Sequence, residues 1–404
     1  MSKNVAEAGR RGDDVRSDAW MRMEILESGG ILLDFQSRVE SLYGDSSRKL
    51  LLSGLEHFGI ENVTLSVEDK GALPFVLMAR LESAIRRLFP EEKITPWLPE
   101  QFENTVASER RRQRRSRLYL PGNESKFIIN ASLHNPDAII LDLEDSVAPP
   151  EKDAAQVLVR NALLNLDFGN CEKMVRINQG ARGISDLEFI VPFGVQLILI
   201  PKVESADQVV DVAEKIAEIQ KTANTDYPIW LMPIIESAKG AWFAYDIAAS
   251  HHSIVSLAIG LEDYTADIGA QRTDEGRESF WARSQVVNAA RAAGVQPIDT
   301  VYSDVSNLEK LEEAVLEAKS MGFEGKGCIH PRQIDVVHQG FAPTEVEIDK
   351  AVKITLAFDK AEREGKGVVS LGSKMIDPPV VKRALRTITQ AENEGKLKPG
   401  WRDQ

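Results

Sequence analysis

From Leu118 to His330, short apolar runs alternate with amphipathic stretches. That rhythm constrains the fold most, because consecutive parallel strands need a helical crossover between them. The runs are Leu118–Leu120, Ala138–Leu143, Met174–Asn178, Leu197–Pro201, Ile229–Ile235, Val255–Gly260, Pro297–Val301 and Gly327–His330. Helical periodicity falls between them, at Glu124–Leu133, Asp207–Lys221, Ala238–Ala249, Phe280–Ala293 and Leu308–Ser320, with Gly or Pro near many ends. Eight such units within residues 114–343 predict an α/β fold, a closed (β/α)₈ TIM barrel. A doubly wound open sheet is the alternative. Its nucleotide fingerprint is missing: no Gly-x-Gly-x-x-Gly follows the first strand, and no Walker A sequence occurs.

The flanks are different in character. Residues 1–88 read as a small α+β domain, with an apolar segment Ile31–Phe35, a helical pattern at Arg48–Phe58, a strand at Val63–Val67, a turn at Asp69-Lys70-Gly71 and a further element at Phe75–Leu88. Residues 89–113 read as a linker, rich in Pro, Glu and Trp from Pro90 to Asn104. An arginine run follows, Arg110, Arg111, Arg112, Arg114, Arg115 and Arg117. Residues 344–404 read as a C-terminal helical lid, with helices at Glu345–Glu364 and Val381–Glu394 on either side of Gly365-Lys366-Gly367.

A formal net charge of −13 argues against nucleic acid as a partner and leaves the arginine run as a solvated linker face. No apolar run is long enough to span a membrane, and the polar start lacks a signal-peptide core. The only two cysteines, Cys171 and Cys328, lie far apart without zinc-ligand spacing, which suits a reducing cytoplasm.

In a barrel of this kind the site lies at the C-terminal ends of the strands, and those ends are polar here. They read Asp142-Leu143-Glu144-Asp145-Ser146, Arg176-Ile177-Asn178, Lys202-Val203-Glu204, Glu236-Ser237, Glu262-Asp263-Tyr264 and His330-Pro331. Glu144, Asp145 and Lys202 are expected to bind substrate. Glu236 and Asp263, on adjacent strand ends, can share one octahedral Mg²⁺ whose other positions go to water and substrate oxygens. His330 is read as a structural hydrogen-bonding group, His251-His252 as a pair at the wrong end of the barrel, and Cys328 as barrel packing.

Several ordered motifs then carry a resemblance. Arg114-Arg115-Ser116-Arg117-Leu118-Tyr119-Leu120-Pro121-Gly122, Leu141-Asp142-Leu143-Glu144-Asp145-Ser146-Val147, Val175-Arg176-Ile177-Asn178, Gly260-Leu261-Glu262-Asp263-Tyr264, Asp299-Thr300-Val301-Tyr302-Ser303-Asp304 and Gly327-Cys328-Ile329-His330-Pro331-Arg332-Gln333-Ile334 closely resemble the citrate lyase β subunit and its citramalyl-CoA and malyl-CoA lyase relatives. The small domain resembles the citrate lyase γ subunit, an acyl carrier protein, through Leu26-Glu27-Ser28-Gly29-Gly30, Asp69-Lys70-Gly71-Ala72-Leu73 and Ala79-Arg80-Leu81-Glu82.

The resemblance implies a Mg²⁺-dependent retro-Claisen lyase acting on a 3-hydroxyacyl thioester. It implies catalytic roles for Arg176 and Asp377, and a place for Arg115 among the substrate-binding residues. On the carrier side it implies a phosphoribosyl-dephospho-CoA arm on Ser28, with free CoA thioester, or a carrier or interaction subunit of a larger lyase complex, as the alternatives. Ser46, in Gly44-Asp45-Ser46, resembles the Asp-Ser of other carrier proteins and is a rival attachment point. A homo-oligomer, trimer or hexamer, is expected, as is an acyl-exchanging α subunit as partner.

Overall fold

Two strands precede the first apolar segment picked out from the sequence: β1 (Val5–Ala8) and β2 (Ala19–Ile25). They join β3 (Ile31–Ser37) and β4 (Val63–Asp69) in a sheet of order β1-β2-β4-β3, in which only β3 and β4 run parallel. Strict alternation turns Ala19, Met21 and Met23 of β2, and Val63, Leu65 and Val67 of β4, onto one buried face. Against that face lie α1 (Glu40–His57), through Leu51 and Leu55, and α2 (Pro74–Leu88), through Leu77, Leu81 and Ile85. Pro74 suits the first turn of α2, where its missing N–H has no partner to lose.

The computed structural model describes residues 4–102, 107–363, 369–371, 374–398 and 400–403. They divide into two compact units, Met1–Ile334 and Asp335–Gln404.

The first unit also holds the barrel. Its strands are β5 (Ser116–Pro121), β6 (Ala138–Asp142), β7 (Glu172–Arg176), β8 (Leu197–Ile200), β9 (Trp230–Ile235), β10 (Ser256–Ile259), β11 (Gln296–Val301) and β12 (Gly325–Cys328). All neighbours are parallel, and Lys326 of β12 pairs with Ser116 of β5, which closes the ring. Its helices are α3 (Ser125–Ile128), α4 (Lys152–Asn165), α5 (Gly180–Ile190), α6 (Ala206–Ala223), α7 (Ala238–Trp242), α8 (Ala244–Ala249), α9 (Leu261–Asp267), α10 (Arg277–Ala293) and α11 (Leu308–Met321). Ile140, Met174, Leu199, Met232, Ala258 and Ile298 fill the interior, so the barrel is a packed core and not a pore.

Apart from Arg111, which is exposed, the arginine run is bonded to the barrel and is not a purely solvated face. Arg114 is buried and forked onto Glu172, at 2.7 and 2.8 Å. Arg112 donates to the carbonyls of Asp137 and Asn170, and Arg110 to those of His252 and Ile254. These partners precede β6, β7 and β10, so the run closes the N-terminal end of the barrel. Arg117 points inside, where it donates to the Asp299 carbonyl at 3.2 Å. Carbonyls at a strand's start need donors, and guanidinium forks supply several at once.

The second unit comprises most of α12 (Gln333–Phe341), then α13 (Glu345–Arg363), a hairpin of β13 (Val369–Leu371) and β14 (Lys374–Ile376), and α14 (Pro378–Asn393). Ala351 and Ile354 of α13 pack with Val381, Ala384 and Ile388 of α14 around Ile376. The expected bend at Gly365-Lys366-Gly367 lies outside the described residues. Among the described residues no helix is long and apolar enough to cross a membrane.

Candidate active site

Asp142 is the last residue of β6 and Arg176 the last of β7, and the two are register partners. Their side chains meet as a fork: Arg176 Nε and Nη2 each donate to the Asp142 carboxylate at 2.6 Å. Burial alone would push the Asp142 carboxyl up, but Arg176, the Ser146 hydroxyl and the Glu144 main-chain N–H hold it below the usual carboxylate range. Arg176 lies 5.5 Å over the Tyr119 ring and brings Nη1 within 2.9 Å of Glu144 Oε2. That oxygen is buried and close to the guanidinium, yet no donor is aligned on it. Glu144 Oε1 accepts from Gln179 Nε2 at 2.8 Å, and burial raises the Glu144 carboxyl above its ordinary value.

Opposite stands Glu236, directly after β9 and 5% exposed. Burial pushes its carboxyl up to about 8, and the neighbouring Glu144 and Asp263 add to the rise against the restraining N–H of Lys202. Lys202 adopts a left-handed backbone, φ 50°, directly beyond Pro201 and the end of β8. Its N–H donates to Glu236 Oε1 at 2.7 Å. Its ammonium lies 3.4 Å from Asp263, 3.5 Å from Glu144 and 3.7 Å from Asp145. Burial opposes its charge, but these carboxylates outweigh that and hold it above the ordinary lysine range. Asp263 stands in the first turn of α9 and Asp145 is half exposed, 3.8 Å from Arg176. A Cβ on Gly260 would lie 2.4 Å from Glu236 Oε2, so only glycine admits this carboxylate.

The sequence expectations for Glu144, Asp145, Arg176, Lys202, Glu236 and Asp263 therefore converge on one rim. Arg115 does not join them. It precedes β5, at the N-terminal end of the barrel, and its Nε and Nη2 both donate to Asp137 at 2.9 Å. In a parallel barrel that end faces away from the site, which overturns its assignment to substrate binding. Asp377 belongs to the other unit. It caps α14, accepting from the Val380 N–H at 3.1 Å, with Pro378 and Pro379 filling the first helical positions. Ser28 is exposed between β2 and β3, followed by Gly29 and Gly30 at φ 120° and 79°. Ser46 lies on α1 and donates to the Tyr43 carbonyl at 2.8 Å. Cys328 is buried and its thiol pushed up to about 12, as suits packing and not nucleophilic attack. His330 accepts from the Arg332 N–H at 3.1 Å, a local structural bond.

Three participants have no role assigned in the sequence reading, although Asp142 and Gly260 stand in its motifs. Asp142 shares strand parity with Glu144, a signal that should have paired them on one face. Lys152 of α4 donates to the carbonyls of Leu143 and Glu144 at 2.9 and 2.8 Å and to Asn178 Oδ1 at 2.5 Å. Gly260 matters only through its closeness to Glu236. Neither of the last two leaves a local sequence signal.

Chemically, the rim offers carboxylate oxygens, a fixed guanidinium and an ammonium. Glu236 and Asp263 are hard oxygen donors of the kind Mg²⁺ prefers. Among the described residues no group of three or more His, Cys, Asp or Glu side chains forms a closed metal cage. An open two-carboxylate site, completed by water and substrate, fits that donor set.

Comparison with known proteins agrees with this architecture. Residues 115–331 match the HpcH/HpaI aldolase/citrate lyase family, and residues 12–88 match an acyl carrier family described as malonate decarboxylase delta subunit (MdcD). Citrate lyase subunit beta of Escherichia coli K12 is 39% identical over 287 residues, covering 70% of this chain and 95% of its own length. The mitochondrial citramalyl-CoA lyase of Homo sapiens is 34% identical over 291 residues, covering 69% of this chain and 85% of its own. The crystal structure of protein CitE from Mycobacterium tuberculosis in complex with magnesium, acetoacetate and coenzyme A superposes with a TM-score of 0.58 at 30% identity, covering 70% of this chain and 99% of that one. With its closed parallel barrel, acidic rim and ordered motifs, the chain belongs to the HpcH/HpaI aldolase/citrate lyase family, as a lyase fused to an acyl-carrier-like domain.

Proposed function

We propose that the chain is a Mg²⁺-dependent carbon–carbon lyase that cleaves a citryl- or citramalyl-type 3-hydroxyacyl thioester to an acetyl thioester and a 2-oxo acid, oxaloacetate or pyruvate. The observation that carries this reading is the convergence of Glu236 and Asp263 around Lys202, with the Arg176–Asp142 fork on the same strand-end rim. Held by Glu236 and Asp263, Mg²⁺ would supply Lewis-acid polarisation and a template for the 2-oxo acid's carboxylate and carbonyl oxygens.

The chain's own residues supply the rest. Arg176 is clamped by Asp142 and flanked by Glu144 at Nη1, so its guanidinium is a pre-oriented cation that a thioester oxygen or a substrate carboxylate can share. A base removes the hydroxyl proton, the C–C bond breaks toward the thioester, and the resulting enolate takes a proton at carbon. Asp377 is the proposed acid/base, because the rim carboxylates are committed to cation and guanidinium. Lys202, Glu144 and Asp145 frame the substrate, with the ammonium balancing carboxylate charge.

On the carrier side, an exposed Ser28 before two glycines suits attachment of a phosphoribosyl-dephospho-CoA arm, and the match of residues 12–88 to an acyl carrier family supports it. The likeness to a citramalyl-CoA lyase favours a second reading, in which free CoA thioesters are the substrates. The proposal includes a homo-oligomer, trimer or hexamer, an acyl-exchanging α subunit as partner on the first reading, and a cytoplasmic setting.

Intact mass after co-expression with the modifying enzymes, followed by assay of citryl and citramalyl thioesters as protein-bound and CoA forms, separates these. A mass increase at Ser28 with turnover of the bound thioester supports the carrier reading. Unmodified protein active on CoA thioesters supports the second. Failure to cleave either thioester with Mg²⁺ present would overturn this substrate assignment, and full activity in EDTA would overturn the metal requirement.

A further inference from the structure

Helix α2 is buried on both sides. Leu77, Leu81, Ala84, Ile85 and Leu88 belong to the small domain's own core, while Phe75, Val76, Met78, Ala79, Glu82 and Ser83 are equally buried but outside it. That second face meets α4 of the barrel. Glu82 is forked onto Arg160 at 2.8 and 2.7 Å, with both side chains fully buried. Asn161 donates to the Phe75 carbonyl at 3.1 Å. Arg87 is forked onto Asp153 at 2.7 Å and donates to the Pro150 carbonyl. A helix apolar on both faces does not detach readily, because undocking would bare Phe75, Val76 and Met78 to water.

The same interface reaches the rim. Arg80, held by Asp18 at 2.8 Å, donates Nη2 to the Asn123 carbonyl at 3.1 Å. Ser125 Oγ donates to the Ser17 carbonyl at 2.6 Å. Asn123 lies in the loop that leaves β5 and Ser125 opens α3 directly after it, at the active end of the barrel. Its Gly122 N–H donates to the Asp142 carbonyl at 2.8 Å, and Asp142 is the residue that grips Arg176.

We propose that the small domain works docked, as a fixed positioning element of the lyase site: Arg80 and Ser17 hold the loop after β5, and through Gly122 and Asp142 that loop sets Arg176. Arg80 is thus a positioning residue. An acyl group on Ser28 would be presented from a stationary anchor, its travel limited to the arm itself. The role of Arg176 rests on the lyase reading above; the docking does not.

Two measurements on the full chain test this. Methyl or amide relaxation in solution should give residues of β2, β4 and the barrel one common tumbling time. A distinctly shorter time for the small domain would overturn the docked state, whatever the substrate proves to be. The second is Arg80→Lys, which keeps the charge facing Asp18 but loses the fork. It should lower kcat roughly ten- to a hundredfold, with a smaller change in KM, and speed amide exchange at Gly122 while Leu77 and Leu81 stay protected. Unchanged kcat and unchanged Gly122 exchange would overturn the positioning role. Ser125→Ala, which removes the Ser17 contact from the barrel side without touching a buried charge, should act in the same direction and serves if Arg80→Lys fails to fold.

Discussion

The main-chain N–H of Lys202 donates to Glu236 Oε1 at 2.7 Å, from a residue held in a left-handed turn. One bond of this kind does not offset the burial of Glu236, whose carboxyl is pushed up to about 8. In metal-free protein burial therefore favours the protonated form of Glu236. Its unfolded counterpart ionises near the ordinary value of 4.5, so between about 4.5 and about 8 the folded state binds the extra proton. The stability from this group is complete below that window and is lost as pH rises through it. Thermal melts in EDTA from pH 4.5 to 8 should show this slope, and Glu236→Gln should remove it. A divalent cation favours the ionised form, so Mg²⁺ binding should release up to one proton, most of it well below pH 8, read by calorimetry in two buffers of different ionisation enthalpy.

Gly260→Ala removes no ligand, but its new Cβ would lie 2.4 Å from Glu236 Oε2 and 3.0 Å from Glu236 Cβ. Glu236 has to move away. Metal affinity should fall roughly ten- to a hundredfold, measured with Mn²⁺ by electron paramagnetic resonance, a loss like that from damaging a ligand's supporting shell. Unaltered Mn²⁺ affinity would separate Glu236 from the metal.

Arg176→Lys replaces a planar fork by a point charge, and Lys cannot satisfy both Asp142 oxygens at once. Turnover should drop by about two orders of magnitude, while metal affinity stays near wild type because Glu236 and Asp263 are untouched. Stability should fall by about 1–3 kcal/mol, since the Asp142 carboxylate stays buried with fewer donors.

The barrel was legible because its strands are buried on both faces and read as continuous apolar runs, Leu197–Ile200 most plainly. β1 and β2 were missed because Ala, Met, Arg and Glu carry little strand preference, although Ala19–Ile25 alternates cleanly. The rim carboxylates were legible because each follows an apolar run. Arg114 and Arg117 were not, because what buries them is remote: Glu172 lies 58 positions from Arg114, and the Asp299 carbonyl 182 positions from Arg117. Arg115 went wrong for a directional reason, since a residue before a strand belongs to the opposite end of a parallel barrel from one after it.

Asp377 offers the sharpest separation of structure from chemistry. Its carboxylate accepts from the Val380 N–H at 3.1 Å, an N-cap that Asn provides almost equally well. Asp377→Ala should therefore destabilise α14 by about 1 kcal/mol, whereas Asp377→Asn should leave the melting temperature nearly unchanged. An acid/base role makes a different demand, because Asn can neither accept nor return a proton at neutral pH. Turnover in Asp377→Asn should then fall by orders of magnitude despite the intact cap, and normal turnover would leave Asp377 as a cap alone. If Asp377 serves the barrel of another subunit, mixing Asp377→Asn with Glu236→Ala protein should restore activity in hybrid assemblies. Absence of restoration under confirmed subunit exchange would place Asp377 at the barrel of its own chain.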